Sequence, residues 1–498
     1  MASLGHNVIA NYMGRTWTAL LGILFIPVYL SFIGIEAYGL VGFYATLSSV
    51  FGILDFGIGS TLNRELARLS ADQDSAQSQR DIVRTLEIIY WGIAILAGVI
   101  VFLIAPYLAN NWIKAQNIEP ATVLKAIRFM GIAVALQFPV SLYQGGLMGM
   151  QRQILVNCIL VFTGTLRSAG AILVLWLISP TVEMFLGWQV VSGIVVTGIF
   201  FVAMWRSLPR HTGQALFRWH ILNGIWKYAA AISANAIIGI SLTQLDKVIL
   251  SRMLTLKMFA YYSIASTVAS AIWMIIVPFN IAVFPRFVQL HEIKQIQELR
   301  ILFHRSSQVL SVMLLPVCAL LIVFSREVLF LWMRDPAVVE NCHLIVSFLV
   351  LGTMLNGIAS IPGYSATAFG WPMLITSTNA IQAVVIIPLI IGMVYWLQGV
   401  GAALAWVVLN STYIIFMVPV YFRHYFREEQ NKWYCRDIAA PALAAFPICM
   451  FSKLVAPALH TPLAICGWLI VTGIITIIVT GLTLPHVRNL VYPRLDNT

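Results

Sequence analysis

Charged side chains occur inside stretches of this sequence that are otherwise apolar, and their chemistry raises the first question. They are Arg15, Asp55, Arg167, Asp246 and Lys247. A charge near the middle of a bilayer costs about 2.5–3.5 kcal/mol on insertion scales, so such a residue is retained for a pairing or for a function. A guanidinium group binds carboxylates and phosphates through two parallel hydrogen bonds. The set therefore indicates a site for an anion.

The neighbours of these charges in the sequence leave alternatives open. Arg15 and Asp55 fall at similar depth on neighbouring antiparallel spans. They form a structural ion pair, or Arg15 faces a cavity and binds an anionic group while Asp55 holds it or exchanges a proton. Arg167 has no acidic residue nearby in the sequence, which favours a cavity-facing role in anion binding. Asp246 and Lys247 close a span near its outer end, where they are interfacial or belong to an outer gate or to the substrate site.

Motifs that would indicate an enzyme are missing from the sequence. There is no GxxxxGK[ST] loop for a nucleotide and no serine nucleophile elbow. His291 and Glu292 begin an HExxH zinc motif, but position 295 is Gln. The six cysteines form no CxxC pair, and no loop is longer than about 25 residues. We therefore expect no catalytic residues, no cofactor and no metal site.

The composition is that of a membrane protein. The chain has 498 residues, of which 60% are hydrophobic and only 10% are charged, whereas soluble domains carry about 25% charged residues. Apolar stretches of about 20 residues recur, and each is long enough to cross a bilayer as a helix. We predict an all-α polytopic protein with about fourteen transmembrane helices, at residues 8–30, 38–62, 85–108, 126–149, 154–178, 184–205, 226–247, 261–284, 305–325, 342–368, 374–397, 400–421, 437–456 and 463–484.

The net charge of +11 comes from Lys and Arg residues in the loops between spans, and these residues do not form a surface for nucleic acid. Of the 30 Lys and Arg residues, 19 lie in loops on the side of the N-terminus and 7 on the opposite side. Cytoplasmic loops carry such an excess of positive charge. We therefore predict that both termini are cytoplasmic and that the protein does not bind nucleic acid.

The pattern of spans repeats when the sequence is shifted by about 222 residues. The segment GLMGMQR at 146–152 falls on AFGWPM at 368–373, both predicted as turns that leave a span at the cytoplasmic face. Asn157 then falls on Asn379, early in the next span. A repeat of six spans keeps its orientation, because six is even, so the copies are related by an axis along the membrane normal.

This repeat predicts the domain organisation. Residues 1–222 and 223–436 would form two six-helix lobes that face each other across a cleft, and 437–498 would add two further helices and a cytoplasmic tail. Lobes that rock about a central cavity give alternating access to the two sides of the membrane.

Two further patterns predict local structure. The pair Gly57 and Gly59 and the spacing Gly145-xxx-Gly149 predict close helix packing or bending. The link at 286–305, RFVQLHEIKQIQELRILFHR, has apolar residues at near-helical spacing and is predicted to lie on the membrane surface as an amphipathic helix.

Three segments resemble a known family. They are ILDFGIGSTLNRELARL at 53–69, GLMGMQRQ at 146–153, and QLDKVILSRMLTLKMFAYYSIAS at 244–266. The sequence resembles the polysaccharide transporters that include O-antigen flippases (Wzx-type), within the multidrug, oligosaccharidyl-lipid and polysaccharide exporter superfamily. The resemblance covers nearly the whole chain. Phe259-Ala260 stands where the family often has Leu-Gly, and Trp371-Pro372 where a basic polar turn is common.

The resemblance implies a two-lobed flippase of the bacterial inner membrane. Its substrate would be an undecaprenyl-diphosphate-linked oligosaccharide, moved from the inner to the outer leaflet, with Arg15 and Arg167 binding the diphosphate. Its partners would be this substrate, membrane lipids, a polysaccharide polymerase and chain-length proteins. An ion gradient or downstream use of the product would supply the energy. Aromatic and amide side chains would contact the sugars, and the candidates are Tyr12, Asn235, Gln244 and Asn379.

Three rival functions stay open on the sequence alone. A multidrug antiporter of the same superfamily would favour an acidic cavity, whereas the intramembrane charges here lean basic. A membrane enzyme acting on lipid-linked sugar, such as a polymerase or ligase, would form new glycosidic bonds. A lipid II flippase is chemically close, and rescue of peptidoglycan synthesis would distinguish it.

Overall fold

The computed structural model describes residues 14, 16–70, 75–219, 221, 239, 243–456 and 461–483. In these ranges the secondary structure is helical, with a single isolated β-bridge between Lys114 and Thr255. Residues 16–24 and 243–253 are helical as well. The longer helices are α1 (Ile26–Phe51), α2 (Ile58–Leu69), α3 (Ala76–Tyr107), α4 (Pro120–Gln137), α5 (Val140–Gly149), α6 (Gln153–Leu177), α7 (Val182–Ser207), α8 (Leu256–Ser270), α9 (Trp273–Glu292), α10 (Ile296–Val323), α11 (Ser325–Met333), α12 (Pro336–Ala368), α13 (Met373–Thr412), α14 (Val418–Tyr425), α15 (Ala440–Val455) and α16 (Pro462–Thr483).

The predicted class, an all-helical protein with many membrane spans, is confirmed. Within the described ranges, 11 helical segments are long and apolar enough to cross a membrane. One of them, Met373–Tyr425, contains two of the predicted spans. The predicted spans 8–30 and 226–247 lie partly outside the described residues, so the figure of about fourteen is compatible with these 11 segments.

Two helical segments each join two predicted spans, and in each segment a residue with positive φ marks the kink between them. Gly34 in α1 has φ 77° and ψ 166°, a conformation that only glycine adopts readily. Gln398 in α13 has φ 50° and ψ −130°. Each lies in the short link that the hydrophobic pattern places between two spans, 31–37 and 398–399. The apolar pattern therefore located both kinks.

The described residues divide into two compact units, Met1–Ala260 and Tyr261–Thr498. The predicted lobe boundaries at 222 and 436 remain predictions. In the first unit, the core is a cluster of buried apolar side chains from α2, α3, α5 and α7, including Leu62, Leu86, Leu142 and Phe200. Such packing lets the helices of this unit hold polar groups in fixed positions.

Close contact between α2 and α5 confirms the packing role predicted for the glycines. A Cβ atom at Gly145 would overlap the carbonyl group of Gly59, and one at Gly149 would overlap the carbonyl group of Asn63. Gly57 has φ 64° and forms the bend between Asp55 and α2. Small residues at this spacing allow two backbones to approach as closely as membrane helices often do.

The polar end of α2 carries an ion-paired carboxylate outside the predicted span. Arg64 Nη2 lies 2.7 Å and Arg68 Nη2 2.8 Å from the carboxylate of Glu65. Burial acts to raise the pKa of Glu65, but the hydrogen bonds and charges of Arg64 and Arg68 outweigh it and lower the pKa. Glu65 is therefore ionised at neutral pH.

In the second unit, aromatic side chains pack where α10, α14 and the segment Arg427–Ala439 meet. The ring centroids of Phe303 and Tyr421 are 5.6 Å apart, and those of Phe422 and Trp433 are also 5.6 Å apart. Trp433 is fully buried and donates a hydrogen bond from Nε1 to Ser307 Oγ at 3.0 Å. These contacts fix the segment Arg427–Ala439 against α10.

The predicted surface helix at 286–305 is wrong. Helix α9 ends at Glu292 and α10 begins at Ile296, with Lys294 between them at φ 55°. The turn is closed by a hydrogen bond from the Gln295 N–H to the Leu290 carbonyl at 3.1 Å, a helix-ending arrangement that a left-handed residue makes possible. The helical spacing was real, but it belongs to the ends of two spanning helices.

Candidate functional site

Arg167 is an intramembrane arginine held by neutral partners. It lies in α6, about 21 Å along the helix axis from Gln153 and about 15 Å from Leu177 at 1.5 Å per residue. Its Nε donates a hydrogen bond to Gln189 Oε1 in α7, and its Nη2 donates to the Tyr44 hydroxyl at 2.9 Å. In the described part of the chain it makes no ion pair. The guanidinium therefore keeps a charge that no protein carboxylate offsets there.

Tyr44 and its neighbours orient this guanidinium. The carbon Cζ of Arg167 lies 5.8 Å from the Tyr44 ring centroid, a cation–π distance. The Tyr44 hydroxyl also accepts a hydrogen bond from Gln137 Nε2 at 2.8 Å, and Trp188 Nε1 donates to the Arg167 carbonyl at 3.1 Å. Four helices thus position one arginine.

The remaining hydrogen-bond capacity of Arg167 defines its chemistry. A guanidinium has five N–H donors, and the two contacts with Gln189 and Tyr44 use only Nε and one N–H of Nη2. Arg167 is partly exposed rather than buried. The free donors match the oxygens of a phosphate or carboxylate, which arginine binds through two parallel bonds.

Asp55 lies at a break in the second predicted span. It ends a 3-10 turn, Gly52–Asp55, and is followed by Phe56 with φ 46° before the chain enters α2. The hydroxyl groups of Tyr90 and Ser141 both donate hydrogen bonds to Asp55 Oδ1, the latter at 3.0 Å. The positive end of the α2 dipole, beginning at Ile58, also favours the anionic carboxylate.

The glycine contact between α2 and α5 explains how Ser141 reaches Asp55. Because Gly59 and Gly145 have no side chains, the backbones meet and Ser141 in α5 lies beside the turn that carries Asp55. Discontinuous helices of this kind often hold ions or substrate groups in transporters. In the described ranges no cation pairs with Asp55.

The predicted pairing of Arg15 with Asp55 lies outside the described residues. Tyr12 and Asn235 lie outside them too. The site is therefore described from Asp55 and Arg167 in the first unit.

Asp246 and Lys247 lie in the helical stretch 243–253 and are both partly buried. The Nζ atom of Lys247 donates a hydrogen bond to Gln244 Oε1 at 3.4 Å. This contact connects two of the predicted residues one helical turn apart. The choice between an interfacial role and a role in a gate or site stays a prediction.

Asn379 in the second unit accepts a hydrogen bond from the Tyr413 hydroxyl at 2.6 Å. Tyr413 begins a π-helical segment, Tyr413–Met417, and such segments are frequent at functional sites. A second pair of amides joins α12 to α13: Asn356 Nδ2 donates to Asn410 Oδ1 at 2.7 Å. The second unit thus offers neutral amides and hydroxyls.

Several buried carboxylates were missed in the sequence, and Glu36 and Glu87 are two of them. Glu36 is 8% exposed and accepts hydrogen bonds from the backbone N–H groups of Gln116 and Asn117. Glu87 is 2% exposed. Its carboxylate accepts a hydrogen bond from the Tyr143 hydroxyl at 2.7 Å and forms an ion pair with Arg84 at 2.8 Å. An acidic residue within or between apolar stretches is the sequence signal for both. Their full satisfaction by protein groups indicates that they hold helices and loops together.

Metal ligation finds no support in the described residues, where no group of three or more His, Cys, Asp and Glu side chains could hold an ion. The candidate site is therefore a pair of intramembrane charges, one cationic and one anionic, each set by hydrogen bonds from neighbouring helices.

Comparisons with known proteins identify the family of the chain. The model of a family described as polysaccharide biosynthesis proteins matches residues 4–291. A Shigella flexneri protein named "Putative O-antigen transporter" is 23% identical over 420 residues, covering 81% of this chain and 94% of the relative.

Solved structures show the fold. The lipid II flippase MurJ in an inward closed conformation matches with a TM-score of 0.73 at 14% identity, covering 97% of this chain and 99% of the other. An inward-facing multidrug resistance MATE family transporter of the MOP superfamily matches with a TM-score of 0.63 at 14% identity, covering 83% and 96%.

Proposed function

We propose that this chain, which belongs to the polysaccharide biosynthesis protein family, is a flippase that moves a lipid-linked oligosaccharide across the bacterial inner membrane. The substrate we propose is an undecaprenyl-diphosphate-linked unit of O-antigen or a similar surface polysaccharide. The likeness to the protein named as an O-antigen transporter supports this choice. Neither a nucleotide-binding motif nor a catalytic motif occurs in the sequence.

One observation carries the proposal: Arg167 keeps free N–H donors deep in a membrane span and is held by Gln189 and Tyr44 without an acidic partner in the described part of the chain. A diphosphate must cross an apolar layer, and its charge needs a cation along the way. A planar guanidinium binds phosphate oxygens more specifically than an ammonium group does. Arg15 would add a second cation.

Asp55 is the proposed coupling group. Within the described ranges its carboxylate accepts hydrogen bonds from the hydroxyl groups of Tyr90 and Ser141 and pairs with no cation, so we propose that it exchanges a proton or pairs with Arg15. Either exchange would link substrate release from the arginines to an ion gradient. The sugars would contact Asn379, Gln244, Tyr12 and Asn235.

Alternating access by two six-helix lobes, 1–222 and 223–436, is the proposed movement. Two similar turns, 219 residues apart and so close to the predicted shift of about 222, support the repeat behind it. Gln151 has φ 59° and Gly370 has φ 83°. The Arg152 N–H donates to the Leu147 carbonyl at 2.9 Å, and the Trp371 N–H donates to the Ala366 carbonyl, also at 2.9 Å. In each unit the corresponding helix thus ends with a hydrogen bond from the N–H of one residue to the carbonyl five positions earlier.

The test is genetic. Arg167→Ala, expressed in a host that lacks its own transporter, should reduce surface polysaccharide at least tenfold while the protein stays in the membrane. Arg128→Ala is the matched control, because Arg128 is also an arginine of a spanning helix and lies 4.6 Å over the ring of Phe102 rather than among polar partners. Normal export by the Arg167 variant would overturn the proposal.

A multidrug antiporter is the second candidate, because the MATE transporter shares the fold and Asp55 offers an acidic group. A drug-resistance assay in a susceptible host separates the two functions. Resistance that depends on Asp55 and not on Arg167 would favour the antiporter. Rescue of peptidoglycan synthesis would point instead to lipid II, the substrate in the name of the flippase that shares the fold.

A further inference from the structure

A basic pocket lies in the second unit, far along the sequence from the residues of the proposed site. It is a cavity of about 360 Å³ between the first turns of α10 and the segment Arg427–Ala439. Its ionisable lining consists of Arg300, His304, Arg305, Glu429, Lys432 and Arg436. Four of these six side chains are permanently cationic, so the pocket is a candidate for binding an anion.

The carboxylate of the pocket is already neutralised. Lys432 Nζ lies 3.1 Å from Glu429 Oε2, and His304 Nε2 lies 3.2 Å from the same oxygen. Arg300 is more distant, with Nη1 4.0 Å from Glu429 Oε1. Glu429 is therefore engaged by Lys432, His304 and Arg300, whereas Arg305 and Arg436 stay available to a ligand.

A buried aspartate fixes the histidine wall of the pocket. Asp437 is fully buried, and its Oδ2 contacts His304 Nδ1. Gln308 Nε2 donates to Asp437 Oδ1 at 2.9 Å. Both ring nitrogens of His304 thus face carboxylate oxygens. Protein groups therefore hold the His304 side chain in position without a ligand.

Two arginines of the pocket remain without a partner in the described part of the chain. Arg305 and Arg436 are exposed, and neither makes an ion pair or a hydrogen bond with a described residue. Arg300 Nε is buried and has no hydrogen-bond acceptor among those residues either. Two guanidinium groups flanking a cavity match the oxygens of a phosphate.

The pocket lies where the headgroups of the inner leaflet are expected. Arg305 begins the predicted span 305–325 and Arg436 directly precedes the predicted span 437–456. Basic pockets between membrane helices at this level bind anionic lipid headgroups. We propose that the pocket binds the phosphate group of an anionic lipid, a site separate from the transport site and beyond the proposed function.

Binding of lipid to the purified full-length protein tests this proposal without any transport assay. The probe is short-chain phosphatidylglycerol, titrated onto delipidated protein and followed by native mass spectrometry. Phosphatidylcholine with the same chains is the uncharged comparison, and inorganic phosphate and pyrophosphate represent a free anion. The variant is Arg305→Gln with Arg436→Gln. The control is Arg286→Gln with Arg423→Gln, which removes the same charge from two other exposed arginines.

We expect the pocket variant to bind phosphatidylglycerol at least tenfold more weakly than the wild type, and the control to stay within twofold. Phosphatidylcholine should bind equally to all three proteins. If pyrophosphate binds the wild type and not the pocket variant while phosphatidylglycerol does not distinguish them, the phosphate site stands and its ligand is a soluble anion. Equal losses in both variants, or no loss in the pocket variant for any phosphate probe, overturn the proposal. Equal elution volumes on size exclusion confirm that the variants are folded.

Discussion

At the scale of single residues, the arrangement around Arg167 is a cation with a fixed direction and free donors. Gln189 and Tyr44 hold one edge of the guanidinium. Because both partners are neutral, they orient the charge without cancelling it. An ion pair would have offset the cost of burial and would also have removed the attraction for a substrate. The partners are thus suited to binding rather than to packing alone.

Tyr44 can be tested as a positioning residue. Tyr44→Phe removes the oxygen that accepts from both Arg167 and Gln137. A hydrogen bond to a charged group contributes about 1.5–3 kcal/mol, so we expect transport to fall about tenfold, mainly through weaker substrate binding. The measurement is the concentration dependence of flipping in liposomes. Tyr29→Phe, whose hydroxyl donates to the Ser168 carbonyl instead, should change it less than threefold. Equal effects of both substitutions would contradict a role in orienting Arg167.

Asp55 is predicted to carry the coupling ion. Asp55→Asn keeps an oxygen that can accept from Tyr90 and Ser141 but removes the negative charge. We expect export to lose its sensitivity to a protonophore and its rate to fall at least fivefold. Ser141→Ala, which removes one donor and leaves the charge, should keep that sensitivity. Export by Asp55→Asn that still collapses with the protonophore would rule out proton exchange at this residue.

The sequence identified these residues more readily than their partners. Arg167 and Asp55 are recognisable because a charge in an apolar run is rare. Tyr44 lies 123 residues from Arg167, and Ser141 lies 86 residues from Asp55. Nothing in one sequence relates such distant positions, since contacts between helices depend on rotation and tilt. The hydrogen-bond network therefore required the structure.

At the scale of helices, the hydrophobic pattern predicted the positions of the spans well but the ends of the helices less well. The links at Gly34 and Gln398 fall where the apolar pattern pauses. Helix α3, in contrast, begins at Ala76, nine residues before the predicted span at 85. Polar residues such as Asp81 and Arg84 continue the helix beyond the membrane, and hydropathy does not register them. The same cause made the ends of α9 and α10 resemble a single surface helix.

The contact between α2 and α5 gives a prediction about stability. Gly145→Ala introduces a Cβ atom that overlaps the Gly59 carbonyl group, and overpacking of this kind costs about 1–3 kcal/mol. We expect the midpoint of thermal unfolding in detergent to fall by several degrees. Gly198→Ala is the control, because a Cβ atom there meets nothing within 4 Å and alanine favours the helix by about 1 kcal/mol. An unchanged midpoint for the Gly145 variant would show that the helices separate more easily than the packing implies.

At the scale of the molecule, the two units differ in the polar groups their spans carry. The described spans of the first unit hold Asp55 and Arg167. Those of the second hold paired amides, such as Asn356 and Asn410, and also the buried carboxylate of Asp437. If the proposed function holds, charge recognition belongs to the first unit and sugar recognition extends to the second.

Orientation in the membrane can be measured by labelling. We expect Glu119→Cys, in an exposed position between α3 and α4, to react with a membrane-impermeant maleimide in intact cells. Gln151→Cys, exposed at the turn after α5, should react only after the inner membrane is opened. The background is a variant without the six native cysteines. This expectation follows from the excess of Lys and Arg in the loops on one side of the membrane. The reverse pattern of labelling would place both termini outside the cytoplasm.

Flipping of a defined substrate by purified protein tests the central claim most directly. Liposomes carrying the protein receive a fluorescent polyprenyl-diphosphate sugar in one leaflet, and quenching by an impermeant reductant reports its movement. We expect movement by the wild type and by Arg128→Gln, and at least a tenfold slower rate for Arg167→Gln. We also expect that the wild type does not accelerate movement of the same lipid without its diphosphate. Equal rates for wild type and Arg167→Gln would contradict the claim that this arginine carries the anion across the membrane.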